Sequence, residues 1–401
     1  MNQEPISPTN TTSKSSVSTS NVIIISAIVF LVGFVIGTRR NEISSYIGIS
    51  DSSQESLDLS SVNDVYKSLR ANFDGDLIKA DLINGAKRGL VAAAGDRYTV
   101  FMDEEEAAEF RRDLEGDVGA GIGVEVGERN GVIVVVRTLR DNPAVQAGVK
   151  AGDIFYRVND EDVSQLTSEE VANRVRGVAG TSVKVTFIRD GEEVEFNITR
   201  EKINNPSVEL EYEGDIAIMR ISRFDTDTGS LAQKAAKELN EKGINKVILD
   251  LRANGGGFVT SAQDVLSLWL DRQTILFERS VRGFSDELKS FSGRAILSGK
   301  QTAVLVDGFS ASASEIVAGA LSDHGQATLI GETTFGKGSV QSVIDLDKSI
   351  LKVTIARWYT PNNLNITESG ITPDIEVKLT LDDINNNNDK QLHAALDFLR
   401  R

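Results

Sequence analysis

The sequence predicts a mixed α+β protein: an α/β core in the C-terminal half, a mostly-β module inserted ahead of it, a helical region before both, and a single transmembrane helix near the N-terminus. Three observations carry this. From Ile216 onward, short apolar runs of strand character alternate with stretches of helical spacing, the pattern of a sheet with parallel neighbours and helices on its faces. Between Gly116 and Arg200 the apolar residues recur with a period of two. Residues 22–37, VIIISAIVFLVGFVIG, hold no charge.

Taken in order, residues 1–21 form a polar tail rich in Ser, Thr and Asn. Residues 22–38 read as a membrane anchor, slightly short of the ~20 residues of a typical span but extended by uncharged neighbours. A cleaved signal peptide would show a small-residue cleavage site after Gly37, and a buried core helix would show regular polar positions; neither is evident. Residues 39–61, again Ser and Asp rich, make a tether. In 62–114, Val65, Leu69 and Phe73, then Leu82, Ala86 and Leu90, fall on common helical faces. The β module spans 115–202, with strands at 122–126, 132–136, 153–158 and 183–188, a turn at Asp190-Gly191, and short helices at 143–147 and 168–176, the latter with Ser168 as N-cap. The core, 203–380, places strands at 216–221, 246–251 and 302–306, and helices at 230–242, 261–270 and after Ser312. Residues 381–401 are an Asn-rich linker and a last helix from Gln391.

Composition narrows the function. The 401 residues carry a net charge of −16, which excludes a nucleic-acid partner, since phosphate neutralisation needs a basic surface. With no cysteine there are no disulfides, zinc-thiolate sites or thiol nucleophiles, and two histidines make no metal site. No metal and no cofactor is expected.

Ser312 follows an apolar strand and an Asp307-Gly308 turn and stands at the start of a helix, where free N–H groups and the helix dipole stabilise developing negative charge. The rival reading is capping, because Ser312-x-x-Glu315 spells a capping box. His324 lies twelve helical residues away, ~18 Å, too far to serve as base. A second strand ends in Asp250-Leu251-Arg252-Ala253-Asn254-Gly255-Gly256-Gly257, whose glycines either turn N–H groups toward a carbonyl oxygen or merely make a flexible turn. Gly331 to Gly336 followed by Lys337 spells most of a phosphate loop, but Gly338 stands where magnesium needs Ser or Thr, and 339–346 alternates like a strand instead of opening a helix. The glycines of Gly119-Ala120-Gly121-Ile122-Gly123 precede a strand, which disfavours dinucleotide binding; N–H groups of Gly121, Ile122 and Gly123 can instead capture a peptide's terminal carboxylate.

Six motifs in order, from about Leu82 to Leu399, resemble the carboxy-terminal processing proteases, serine peptidases with a PDZ domain. They are Gly95-Asp96-Arg97-Tyr98-Thr99-Val100-Phe101-Met102, the Gly121-Ile122-Gly123 loop, Leu249-Asp250-Leu251-Arg252 with its glycines, Ser310 through Glu315, Thr334-Phe335-Gly336-Lys337-Gly338, and Ala356-Arg357-Trp358-Tyr359-Thr360-Pro361 with Gly370-Ile371-Thr372-Pro373-Asp374. The resemblance implies a protease core with an inserted PDZ domain, Ser312 as nucleophile, Lys337 as base, Gln341 orienting the lysine, and Asp323 supporting the site. Gly255, Gly256 and Ala313 are the expected oxyanion donors, although Asn254-Gly255-Gly256-Gly257 stands where many members of the family have proline before the glycine pair, which leaves open which glycine N–H serves. It further implies protein substrates bound through their C-terminal residues, with a catalytically idle PDZ adaptor as the alternative. Oligomeric state stays open, a homo-oligomer included. Arg39-Arg40 against Lys14 would place the catalytic region in the cytoplasm; the resemblance implies a single-pass cell-membrane protein with an extracytoplasmic catalytic region, and that reading is adopted.

Chemistry agrees with a Ser-Lys pair. A free lysine, pKa ~10.4, is protonated at neutral pH and becomes a base only where burial and the positive end of the Ser312 helix disfavour its charge.

Overall fold

A computed structural model describes residues 57–401, apart from 282, 284 and 387. The anchor predicted at 22–38 lies outside the described residues, and among these no helix is long and apolar enough to cross a membrane. The chain divides into two compact units after Lys79. The described part of the first holds helix α1 (Ser60–Asn72), none of whose residues is buried.

The second unit opens within α2 (Lys79–Ala92), after its first residue, and continues with the short strand β1 (Val100–Met102) and α3 (Glu104–Leu114). β1 falls within the stretch predicted as purely helical. Three residues are too few to show a period, and they become a strand only by pairing with a distant one, Val100 opposite Lys352. Asp103 caps α3: its side chain accepts the Glu106 N–H, and the Glu106 carboxylate accepts the Asp103 N–H.

The β module follows as β2 (Ala120–Gly121), β3 (Val124–Arg129), β4 (Val132–Thr138), α4 (Pro143–Ala147), β5 (Ile154–Val158), β6 (Glu161–Asp162), α5 (Ser168–Val175), β7 (Ser182–Arg189), β8 (Glu192–Thr199) and β9 (Glu201–Lys202). Its antiparallel sheet runs β3-β4-β5-β7-β8, with β6 beside β5 and β2 paired to β9. Asp190 and Gly191, φ 54° and 85°, form the left-handed turn between β7 and β8 that matches strand twist. One expectation is corrected: Thr167, not Ser168, caps α5, its hydroxyl accepting the Glu170 N–H while Glu170 reaches back to the Thr167 N–H. Phe155 and Phe187, both fully buried with ring centroids 4.7 Å apart, centre the module's own core.

The remaining elements are β10 (Val208–Glu213), β11 (Ile216–Ile221), α6 (Thr228–Glu241), β12 (Lys246–Asp250), α7 (Val259–Leu266), β13 (Thr274–Arg279), β14 (Ser285–Lys289), β15 (Gln301–Val306), α8 (Ala313–Asp323), β16 (Thr328–Gly331), β17 (Ser339–Leu346), β18 (Ser349–Tyr359), β19 (Ile375–Glu376), α9 (Leu381–Asn385) and α10 (Lys390–Arg400). The main sheet runs β10-β11-β12-β15-β16-β19, parallel except for β10. Its central strands, β12 and β15, are buried on both faces. Val247, Leu249, Val304 and Val306 pack with residues of α6, α7 and α8, whereas Ile248, Ala303 and Leu305 pack with Ala395, Leu396 and Leu399 of α10. Truncating Leu249 to alanine would cost about 2–5 kcal/mol, because nothing nearby can fill the void without moving. A second sheet, β1-β18-β13-β14 with β17 on β18, lies against the loops that leave the first.

Candidate active site

β12, β15 and β16 are adjacent and parallel, so the loops that follow them leave from one edge of the sheet, the carboxyl edge where α/β proteins place their ligands. These are the glycine loop, the serine loop and the lysine loop. Of the three serines in the second, Ser310 and Ser314 are fully buried. The Ser310 hydroxyl donates to the Leu251 carbonyl and that of Ser314 to the Asn254 carbonyl, each at 2.8 Å, joining serine loop to glycine loop. Ser312 lines an open cleft instead, held at φ 56°, a strained conformation for a residue with a side chain.

Asn254, fully buried, fixes the glycine loop. Its amide nitrogen donates to the Ile221 carbonyl at 2.7 Å, and its side-chain oxygen accepts the Gly256 N–H at 2.9 Å. That bond occupies the Gly256 N–H, one of the three expected oxyanion donors. The N–H groups of Gly255 and Ala313 have no partner among the described residues. Gly256 matters for its lack of a side chain: at φ 99°, a Cβ there would lie 2.8 Å from Ser312 Cβ and 2.7 Å from the Ala311 carbonyl oxygen.

Glu315, one turn into α8 and fully buried, joins the serine and lysine loops. Its Oε1 accepts the Thr334 hydroxyl at 2.6 Å and the Gly336 N–H at 2.7 Å; its Oε2 accepts the Ser312 N–H at 2.8 Å and the Lys337 N–H at 2.9 Å. One carboxylate thus sets the spacing of both predicted dyad residues. Ser312, Lys337, Gln341, Gly255 and Gly256 line the same cleft of about 600 Å³, walled on its apolar side by Ile316 and Trp358. Burial lowers the Lys337 amine below the ordinary lysine pKa, the charge of Lys352 adds to this, and Glu315 opposes it. The Tyr98 ring lies under the amine, 5.3 Å from its centroid to Nζ. Gln341 donates to Ser339 Oγ at 2.7 Å and reaches Thr354 Oγ1 at 3.4 Å; neither bond involves Lys337.

The other predicted residues lie apart. Asp323, at the C-terminal end of α8, accepts the Asn362 N–H at 2.8 Å and so holds the loop after β18, outside the cleft. His324 contacts the Thr274 carbonyl through Nε2 at 2.7 Å. Gly121, Ile122 and Gly123 line a separate groove of about 430 Å³ between β3 and α5. There the carbonyls of Ile122 and Gly123 accept the N–H groups of Ala144 and Leu139, while their own N–H groups have no partner among the described residues. Val118, Asn205 and Arg223 border both groove and cleft, so the two are continuous along the protein surface.

Comparison with known proteins matches residues 215–377 to peptidase family S41 and residues 120–199 to the PDZ domain. A carboxy-terminal-processing protease of Bartonella bacilliformis is 36% identical over 332 residues, 80% of this chain and 76% of the relative. A protein of Staphylococcus saprophyticus named CtpA-like serine protease is 31% identical over 359 residues, 88% of this chain and 73% of that one. A solved structure from Bacteroides fragilis, assigned to the S41 proteases, shares the fold at a TM-score of 0.58 and 17% identity, covering 79% of this chain and 90% of its own. The chain belongs to the carboxy-terminal-processing proteases of family S41. It is a serine-type peptidase carrying a PDZ domain.

Three residues of this protease were not singled out from sequence. Glu315 was visible only as a capping spelling, and half of that role exists, since its carboxylate does accept the Ser312 N–H. Its bonds to Thr334, Gly336 and Lys337 are long-range and leave no mark on local spacing. Asn254 was noted only as part of the glycine run, not as the residue that occupies the Gly256 N–H. Asp307 was read as a turn residue, yet its carboxylate also accepts the Ala253 N–H of the glycine loop at 3.0 Å, a third link between loops.

Proposed function

We propose that the protein is a membrane-anchored endopeptidase that cleaves protein substrates near their C-termini through a Ser312–Lys337 dyad. The observation that carries this is the Glu315 carboxylate, bound at once to the backbone of the nucleophile and of the base at the wall of one cleft. Neutral Lys337 accepts the Ser312 hydroxyl proton as Oγ attacks the scissile carbonyl. The N–H groups of Gly255 and Ala313 receive the resulting oxyanion. Lys337 then gives its proton to the leaving amine, and water, deprotonated by the same lysine, attacks the acyl group, which leaves Ser312 as the lysine returns the proton to Oγ. Gln341 holds the neutral amine without restoring its charge, as a carboxylate would. Labelling the full chain with a serine-directed fluorophosphonate and mapping the adduct tests the assignment: modification is expected at Ser312 and is to disappear in Lys337→Ala, whereas a mapped adduct on Ser310 or Ser314 would overturn it.

A base that works only when neutral makes the rate rise with pH. Because burial and Lys352 disfavour the ammonium, the midpoint of kcat/KM against pH is expected below the ~10.4 of free lysine, with full activity above it and loss as the pH falls through it. A profile still climbing past pH 10.4, or one unchanged by Lys337→Arg, would exclude lysine as the base.

The PDZ groove takes the substrate's terminal carboxylate on the N–H groups of Ile122 and Gly123, with the last residues lying along the edge of β3. Full-length Ser312→Ala protein, which binds without cleaving, is expected to hold a peptide with an apolar free C-terminus at least about tenfold more tightly than its amide. Equal affinities would refute carboxylate capture and leave the dyad untouched. The segment 22–38 would anchor this machinery to the membrane, on the extracytoplasmic side that the family resemblance implies, testable by whether externally added protease digests residues 57–401 in intact spheroplasts.

A further inference from the structure

The segment Gly95-Asp96-Arg97-Tyr98-Thr99, whose Tyr98 lies against the Lys337 amine, also bonds through Asp96 and Thr99 to Thr354 of β18. β17 and β18 slip register by one residue between Val340 and Gln341, so that Gln341 stands directly opposite Thr354. Gln341 Nε2 approaches Thr354 Oγ1 at 3.4 Å, and Thr354 Oγ1 bonds to Asp96 Oδ2 at 2.5 Å. Asp96 also accepts the Thr99 hydroxyl at 2.6 Å and the Tyr98 N–H at 3.3 Å, while Thr99 Oγ1 accepts the Thr354 N–H at 3.1 Å. Burial pushes the Asp96 carboxyl up, but the hydrogen bonds from Thr354, Thr99 and Tyr98 outweigh it and hold the group below its ordinary pKa.

The direction of each bond in this chain is determined. An ionised carboxylate only accepts, so the one proton of the Thr354 hydroxyl points at Asp96. Thr354 Oγ1 then has lone pairs alone to offer Gln341, which must present its NH₂ group. With that group turned to Thr354 and Ser339, the atom of the amide left for the cleft is the carbonyl oxygen. A reversed amide would set its oxygen against a hydroxyl with no proton to give. The correct orientation suits a neutral lysine: accepting one amine hydrogen leaves the nitrogen lone pair to be directed at Ser312.

We propose that Asp96, acting through Thr354, fixes the Gln341 amide so that its carbonyl oxygen receives a hydrogen of the Lys337 amine, which makes Asp96 and Thr354 positioning residues of the peptidase. Tyr98 of the same segment contributes the aromatic surface under Lys337. The inference rests on the role given to Gln341 under the proposed function.

Kinetics of four full-length variants, Thr354→Val, Thr354→Ser, Gln341→Ala and Thr354→Val/Gln341→Ala, test it. Thr354→Val keeps the shape but removes the hydroxyl. It is expected to lower kcat on the order of ten- to a hundredfold, the usual cost of a misoriented catalytic group, with KM within about twofold. Thr354→Ser restores most of the rate. Added to Gln341→Ala, Thr354→Val is expected to cost nothing more, because it acts only through that amide. Unchanged kcat in Thr354→Val, or losses that multiply in the double variant, would overturn the inference while leaving the dyad in place. Full activity in Gln341→Ala would instead remove Gln341 from the proposed mechanism. Should Thr354→Val not fold, Asp96→Asn carries the same comparison: its amide can donate to Thr354, free the hydroxyl proton to turn toward Gln341, and reverse the chain.

Discussion

Alanine at Ser312 or at Lys337 is expected to reduce hydrolysis of an unfolded protein substrate by at least about a thousandfold, with thermal melting close to that of the parent. Neither side chain is spent on the core. Ser312 and Lys337 both line the cleft, and their contribution to folding passes mainly through backbone N–H groups, which alanine keeps. The double variant should be no slower than either single one, since a nucleophile without its base and a base without its nucleophile fail at the same step. Ser310→Ala and Ser314→Ala should behave in the opposite sense. Each removes a buried hydroxyl bond between loops and costs about 1–3 kcal/mol of stability, but leaves the attacking atom in place. Turnover by Ser312→Ala close to that of the parent would end the serine-nucleophile reading, whatever the stability of the variant.

Glu315→Gln is expected to be the other severe change, and to differ in kind. A glutamine has the same shape, but where the carboxylate accepts four hydrogens its amide brings two of its own, set against the Thr334 hydroxyl and the Gly336 N–H or against the N–H groups of Ser312 and Lys337. Activity should fall a hundredfold or more, and stability should fall with it by about 3–5 kcal/mol, the scale of breaking a buried charged contact. Urea unfolding and turnover measured on one preparation separate the two effects. A variant that keeps both its midpoint and its rate would show that the loops hold their spacing without this carboxylate.

What could be read from sequence follows the range of the interaction. β17 was legible because Ser339 to Leu346 alternate and pair with the immediately following strand, and the strands at 216–221 and 302–306 were legible because continuous apolar runs mark burial on both faces. β18 was not placed. Its partners change along its length, β17 throughout, β1 at Lys352 and β13 at Tyr359, and no single period survives three sets of neighbours. β8 was not singled out, although Val194, Phe196 and Ile198 alternate with polar residues as a half-buried strand requires. Within the site, the positions of Ser312 and Lys337 were accessible from motif and context. The assignment of hydrogens was not: that Asn254 would occupy the Gly256 N–H, and that Gln341 would bond to Ser339 and Thr354, depends on side chains brought together only by the completed sheet.

The lysine loop spells a phosphate cradle, and physically it is one, for the N–H groups of Gly336 and Lys337 converge on an anion as such a cradle requires. The anion is a side chain of the same polypeptide. Backbone donors do not distinguish a carboxylate from a phosphate, so what decides the loop's fate is which anion arrives first, and a tethered one is always present. A free nucleotide would have to evict Glu315 from a fully enclosed position and strand its charge, a penalty of several kcal/mol that no solution concentration of ATP offsets. ATP, magnesium and chelators are therefore expected to leave the rate unaltered, and the enzyme carries its own counter-ion for the loop that holds its base.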